Sequence, residues 1–248
     1  MEDQFIRTQM LLGAPAMARL RTAHVAVFGL GGVGSWCAEA LCRSGVGRLT
    51  LVDQDTVSVS NLNRQSAALH STVGMEKARA AALRLQDIAP DCVLHPVAAR
   101  YEAETRERFF AVQYDYIVDA IDLVSCKLDL IETAHARGIP IISALGTGNK
   151  RDAQQLRIAD IARTEGCPLA RVVRKELRKR GIARHKVVFS PELPWNAEDG
   201  DEAPPPGRRS IPASAMWVPA AAGLLLAQAV ILDLCSFFLK EKGTEKEL

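Results

Sequence analysis

His24-Val25-Ala26-Val27-Phe28-Gly29-Leu30-Gly31-Gly32-Val33-Gly34 is the stretch from which the fold can be read. A near-continuous apolar run, rather than an alternating one, marks a strand covered on both faces, as in a parallel sheet. The glycines that follow fit G-x-G-x-x-G, and Ser35 to Arg43 reads as a helix ended by Gly45 and Gly47. In such a loop Gly29 permits the tight turn, Gly31 lets an anion approach the backbone, and Gly34 lets helix and strand pack closely. The helix N-terminus then offers N–H groups to a phosphate. Leu49 to Asp53 is the next strand, completing a unit of about 30 residues, the size of a mononucleotide-binding half.

Outward from this unit the alternation continues. Arg7 to Leu20 predicts a short helix or two. Helices are expected over Gly74–Ile88, Tyr101–Phe110 and Lys127–Arg137, and strands over Cys92–Val97, Tyr116–Ala120 and Pro140–Ala144. The pattern predicts an α/β, doubly wound, mostly parallel sheet. Beyond a loop at Gly146–Asp152 comes a C-terminal extension: a basic helix over Pro168–Arg180, a strand at Lys186–Ser190, and a mobile surface loop over Pro191–Pro212. One domain is expected over residues 1–248. The apolar tail from Ala213 to Leu239 has an uninterrupted stretch of about 17 residues, the lower edge of what spans a bilayer. Pro219 and Gly223 interrupt it, which predicts a buried terminal helix, with membrane contact as the disfavoured alternative.

Composition excludes several classes. Hydrophobic residues at 48% and charged residues at 24% fit a core-forming protein and exclude disorder and collagen. Six cysteines with no C-x-x-C pair argue against a disulfide framework and against a zinc ribbon. The start, MEDQFIRTQM, lacks an apolar signal region, so a cytoplasmic protein with reduced thiols is expected. The net charge of +2 conceals a local excess. Between Arg171 and Lys186, eight basic residues stand against the single acid Glu176. Arg171, Arg174, Lys175 and Arg178 share one helical face there, a candidate contact for nucleic-acid phosphates or simply a solvated face.

Asp53, ending the second strand, is spaced to accept hydrogen bonds from a ribose, or merely opens a turn. A nicotinamide cofactor would satisfy these features alone. Arg64, in Asn61-Leu62-Asn63-Arg64-Gln65, and Lys77 add more positive charge than a dinucleotide needs, and as a set they favour a triphosphate that loses pyrophosphate. Asp122, just past the fourth strand, stands where ligands gather in such sheets and could hold Mg²⁺ through oxygen ligands.

Gly29–Gly34, Asp53, Asn61–Gln65, Lys77 and Asp119–Asp122 together resemble the E1-like superfamily of adenylating enzymes, the ThiF/MoeB/HesA group, from about Arg7 to Leu234. The resemblance implies a Rossmann-like adenylating fold in which Gly29, Gly31, Gly32, Gly34, Asp53, Asn61 and Gln65 bind ATP. It implies catalytic roles for Arg64, Lys77 and Asp122, the last toward Mg²⁺. It also implies a homodimer in which an N-terminal arginine, here Arg7, reaches the partner's site. Sulfur-carrier activators of the group hold zinc in two C-x-x-C pairs, absent here, so no zinc is expected. Thioester-forming members carry a crossover cysteine; Cys167 is the nearest thiol, equally readable as a small buried hydrophobe. Gly31–Ser35, Arg43–Gly47, Asp119–Asp122 with Lys127, and Cys167–Ala170 before the basic helix are similar to the tRNA threonylcarbamoyladenosine dehydratases. That subgroup implies ATP-dependent cyclisation of the threonylcarbamoyl side chain on adenosine 37 of tRNA, with a sulfur-transfer protein as a conceivable further partner. The alternative reading is an adenylating activator of a ubiquitin-like sulfur carrier.

Overall fold

The computed structural model describes residues 3–195, 212–236 and 238. The N-terminal segment forms α1 (Ile6–Leu12) and α2 (Ala14–Thr22), and the first nucleotide-binding unit forms β1 (His24–Phe28), α3 (Gly34–Arg43) and β2 (Arg48–Val52). There follow α4 (Lys77–Ile88), β3 (Val93–Val97), α5 (Arg106–Phe109), β4 (Tyr116–Asp119), α6 (Val124–Ala136) and β5 (Ile141–Ala144). The C-terminal part adds β6 (Arg157–Asp160), α7 (Pro168–Lys179), β7 (Lys186–Phe189) and α8 (Trp217–Leu234).

These strands form one sheet in the order β3-β2-β1-β4-β5-β7-β6, parallel throughout except for β6 against β7. Residues of β1 alternate between two cores, as the pleat requires. Val25 and Val27 face a core built with α2, α3, α4 and α8, whereas Ala26 and Phe28 face one built with α6 and α7. From β1 the chain winds to β2 and β3 on one side, then crosses to β4 on the other. That reversal opens a crevice beyond the carboxyl ends of β1 and β4, where doubly wound sheets take their ligands.

Several elements depart from their sequence reading. The helix expected from Gly74 begins at Lys77, because Gly74 adopts φ +85° and Glu76 bridges Thr56. The segment Tyr101–Phe110 is a 3₁₀ turn at Ala103–Thr105 followed by the one-turn α5. Helix α6 starts three residues earlier than its apolar pattern suggested. Strand β6 was not anticipated: it is a half-exposed edge strand with no apolar run to mark it. Pro96 sits in β3, the opposite edge, where a missing donor is tolerated. Of the expected mobile loop, residues 196–211 lie outside the described residues, while both flanks are hydrogen-bonded to Asn149.

Among the described residues α8 is the one helix long and apolar enough to cross a bilayer. Its environment is that of a core helix. Val218, Ala222, Leu226 and Val230 are buried along one face, leaving Leu224, Gln228 and Leu232 outward. The two residues that interrupt the apolar stretch have structural uses. Pro219 lies in the first turn, where its missing N–H costs nothing. Gly223 brings α8 onto α3: a Cβ there would stand 2.4 Å from the Val33 carbonyl oxygen. At the far end, Asp233 accepts from Lys186 Nζ of β7 at 2.6 Å and from the Tyr116 hydroxyl of β4 at 2.6 Å, fixing the helix across the sheet.

Gly223→Ala forces this helix pair apart, and urea denaturation is expected to show a loss of about 1–3 kcal/mol, the scale of core overpacking. An unchanged midpoint would mean that α8 does not pack on α3 in this register.

Candidate active site

The crevice is floored by the glycine loop. Gly29 has φ +89° and lies so close to the strand beside it that a Cβ would meet the Ala120 carbonyl oxygen at 2.6 Å. A Cβ on Gly34 would meet the Gly29 carbonyl at 1.8 Å, so helix and strand touch there. Gly31 has nothing within 4 Å of where a Cβ would stand, which leaves the middle of the loop open to a ligand. Because α3 starts at Gly34, the positive end of its dipole points into that opening. Asp53, just past β2, closes one side. Its Oδ2 accepts from the Leu30 N–H at 2.7 Å and its Oδ1 from the Asp55 N–H at 2.8 Å. Burial raises its carboxyl above the ordinary aspartate value, against the opposing pull of Lys77 and these two donors.

A second wall comes from the segment between β2 and α4. Lys77, the first residue of α4, is buried and reaches Asp55 Oδ2 at 3.0 Å. Arg64 lies over the loop, its Cδ 3.5 Å from a Cβ built on Gly32, with Nη1 donating to the Ser60 carbonyl at 2.7 Å and to Asn63 Oδ1 at 2.8 Å. Asn61 and Gln65 are buried beside it. The Asn61 side-chain oxygen accepts from the Ser58 N–H at 3.2 Å, so this residue also caps its own 3₁₀ turn. Two residues of α3 pin the segment: Trp36 Nε1 donates to the Arg64 carbonyl at 2.9 Å, and Ser35 Oγ accepts from the Ser66 N–H at 3.1 Å.

The third wall is the end of β4. Asp119 and Lys127 are both 0% exposed and pair at 2.6 Å; the lysine also donates to the Ala144 carbonyl at the end of β5, at 3.0 Å. Asp119 Oδ1 accepts from the Ile121 N–H at 3.0 Å, which shapes the turn carrying the exposed Asp122. No group of three or more candidate metal ligands is gathered among the described residues. One exposed carboxylate on the rim nevertheless suits Mg²⁺, which is commonly held by one or two carboxylates and the phosphates of its nucleotide.

The structure therefore gathers Gly29, Gly31, Gly32, Gly34, Asp53, Asn61, Arg64, Gln65, Lys77 and Asp122 around one crevice. It keeps the other candidates apart. Arg7 is exposed on α1, whose start packs through Phe5 against Gly45, at the end of the sheet away from the glycine loop. Helix α7 begins near the crevice, because Cys167 Sγ would lie 3.1 Å from a Cβ on Gly146, just past β5. Arg171, Lys175 and Arg178 are exposed on that helix and enter no ion pair among the described residues. Arg174 departs from the expectation of a free cationic face: its guanidinium is half-buried and donates to the Thr164 carbonyl at 2.6 Å, so it fastens α7 to the preceding turn. Lys186 is likewise spent on Asp233. Cys167 is buried, its sulfur accepting from the Ala170 N–H as a helix cap.

Lys127 and Ser35 stand in the motifs quoted above without an assigned role, and Asp55 and Trp36 are not singled out there at all. For Lys127, a lysine at the helical spacing of Leu130, Ile131 and Ala134 was the available signal, since a lysine on an apolar face demands a partner. Nothing local marks the other three.

Comparison with known proteins agrees with this geometry. The model of the ThiF family matches residues 5–231. The chain is 42% identical to the tRNA threonylcarbamoyladenosine dehydratase of Bacillus subtilis, over 94% of this chain and 95% of that protein. It is 39% identical to the enzyme of the same name from Escherichia coli, over 80% and 77% respectively. The crystal structure of the E. coli tRNA N6-threonylcarbamoyladenosine dehydratase in complex with ATP superposes with a TM-score of 0.85 at 33% identity, covering 96% of each chain.

Lys127→Met strands the Asp119 carboxylate without a buried countercharge, and urea denaturation is expected to show a loss of about 3–5 kcal/mol. Adding Asp119→Leu should return much of it, because an apolar pair needs no desolvation. A single variant as stable as the parent would contradict the pairing.

Proposed function

The chain belongs to the ThiF family, and from that premise we propose that it is an ATP-dependent tRNA threonylcarbamoyladenosine dehydratase, acting on adenosine 37 through an acyl-adenylate. The observation that carries this reading is the likeness to enzymes of that name over nearly the whole of both chains, basic helix included. The open, anion-seeking glycine loop supports ATP as the activating substrate. The sulfur-carrier activator is disfavoured by the missing C-x-x-C pairs and by the exposed cations of α7, which suit a polyanion better than a protein tail. The chain acts as one cytoplasmic adenylating domain.

In this mechanism a carboxylate oxygen of the substrate's threonyl group attacks the α-phosphorus of ATP, and the bond to the β-phosphate oxygen breaks to release pyrophosphate. Hydroxide is a poor leaving group from a carboxylate; AMP is a good one. A ureido nitrogen already in the substrate then attacks the activated carbonyl, loses its proton and expels AMP, closing a hydantoin-type ring. Closure is intramolecular and benefits from high effective molarity, so the protein need not supply a nucleophile. That agrees with Cys167 being used as a helix cap.

The chain's own residues supply binding and charge. The N–H groups at the start of α3 and Gly31 hold phosphate, and Asp53 accepts from the ribose. Arg64 and Lys77 offset the negative charge that grows on the departing pyrophosphate. Asp122 would hold Mg²⁺, which when bound would add to the neutralisation of the phosphates. In a homodimer Arg7 would serve the partner's crevice, since α1 lies away from its own. Exposed Arg171, Lys175 and Arg178 bind the tRNA backbone.

Purified protein with ATP, Mg²⁺ and threonylcarbamoyl-modified tRNA is expected to yield AMP, pyrophosphate and a nucleoside lighter by one water, read by mass spectrometry. ADP, or an unchanged nucleoside, would refute the reading. Asp122→Asn should fold normally and lose most turnover. Arg64→Ala and Lys77→Ala should each raise the barrier by about 2–4 kcal/mol in kcat/KM. Parent-like rates in all three variants would remove the adenylation site as assigned.

Neutralising Arg171, Lys175 and Arg178 together should flatten the log–log salt dependence of tRNA binding by about 0.7–0.9 per lost contact, with ATP affinity unchanged. An unaltered slope would make this helix an ordinary solvated face.

A further inference from the structure

Of the three tryptophans in the chain, two are prominently exposed: Trp195 at 51% and Trp217 at 56%. They come from distant parts of the chain and meet at one residue. The Arg151 guanidinium lies over the Trp195 ring, 4.1 Å from its centroid, and the Arg151 carbonyl accepts from Trp217 Nε1 at 2.8 Å. Trp195 Nε1 donates to Glu192 Oε1 at 2.9 Å, and the Glu192 carboxylate accepts from the Arg151 and Asp152 N–H groups at 2.9 and 3.1 Å. Both indole N–H groups are therefore spent inside the cluster. What remains outward is aromatic surface.

The cluster is held rigid by the residue next to its base. Asn149 has φ 57°, the left-handed region, where a side-chain amide is better tolerated than most. From there its N–H donates to the Ala213 carbonyl at 2.8 Å, its Oδ1 accepts from the Ala213 N–H at 2.7 Å, and its carbonyl accepts from the Trp195 N–H at 2.8 Å. One asparagine thus ties the two flanks of the 196–211 segment together. Beneath it, the buried Lys150 donates to the carbonyls of Ser190 and Glu192. A shallow, open depression lined by Pro191, Glu192, Leu193 and Trp195 among others lies beside the Trp195 ring.

The position is on the rim of the crevice. Ser214, three residues before Trp217, accepts from Asn63 Nδ2 at 2.9 Å, next to Arg64. Pro219, two residues after it, has its ring 3.2 Å from a Cβ built on Gly32. A pre-oriented aromatic–guanidinium surface within one helical turn of the glycine loop matches the chemistry that stacks unpaired bases: a π-face for each base and a delocalised cation within the stack.

We infer that Arg151, Trp195 and Trp217 form a stacking platform for unpaired nucleobases of the RNA that enters the crevice. The inference rests on the tRNA reading above and adds to it a second part of the RNA that is gripped: bases in a single-stranded loop, besides the backbone. The exposed cations of α7 hold phosphates without regard to pairing; the platform demands that bases be splayed out.

The test compares an anticodon stem-loop RNA with a fully paired duplex of equal length, using the full chain. The stem-loop is expected to bind more tightly and to quench tryptophan fluorescence. Trp195→Leu should weaken stem-loop binding about tenfold, the scale of one lost stack, with duplex binding unaltered, while Trp195→Phe retains most of the affinity. Equal affinity of the parent for stem-loop and duplex without quenching, or parent-like stem-loop binding by Trp195→Leu, overturns the platform. So does a Trp195→Leu variant whose defect is confined to ATP affinity or to self-association in gel filtration. The quenching measurement on the parent stands even if a variant folds poorly. Failure of the tRNA reading itself is read separately, as absence of AMP and pyrophosphate with modified tRNA.

Discussion

The Asp119–Lys127 ion pair is the constraint on which the crevice depends. Two opposite charges at 0% exposure survive in a protein interior only when each is fully engaged. Here the carboxylate also accepts from Ile121 N–H and the ammonium also donates to the Ala144 carbonyl. Those contacts join the ends of β4 and β5 to α6 at the point where the sheet reverses direction. The turn after β4 is consequently rigid, so the Ala120 carbonyl can press against Gly29 at a distance no side chain would allow. The glycine loop and the rim carrying Asp122 are thus shaped by one buried interaction beneath both.

The remaining polar groups of the crevice follow a similar logic. Each group assigned to phosphate or ribose chemistry is held from behind by a second group with no such assignment. Asp53 is held by two backbone N–H groups, Lys77 by Asp55, and the Arg64 segment by Trp36 and Ser35 of α3. Such support keeps long side chains near their working geometry before the ligand arrives, so that less ordering remains to be done on binding. The basic segment divides in the same way. Arg174 and Lys186 bind the protein to itself, while Arg171, Lys175 and Arg178 are left to solvent.

Helix α8 connects these layers. Its length and apolarity meet the test for a membrane span, while its buried face packs inside the protein, where Gly223 and the Pro219 ring fit against α3 and the glycine loop. The same packing carries the chain from Ser214 to Trp217 over the crevice. One helix therefore completes a core on one side and borders the candidate site on the other.

The sequence alone determined what depends on local pattern. Continuous apolar strands, G-x-G-x-x-G, and helices between them specify a doubly wound sheet. Asp53 and Asp122 stand out as candidates because they follow strand ends, whereas Arg64 and Lys77 stand out for their charge and for the resemblance to adenylating enzymes. Element boundaries slipped where a local pattern competed with a contact, as at Gly74, or where no apolar pattern existed, as in β6. Partners distant in sequence could be set only by the tertiary structure. Asp55 with Lys77, Trp36 with the Arg64 carbonyl, and Arg151 between Trp195 and Trp217 are each made by packing that no window of sequence contains. The same holds for charge: every arginine of α7 looks alike in sequence, and only burial against Thr164 distinguishes the one that fastens the helix from those facing solvent.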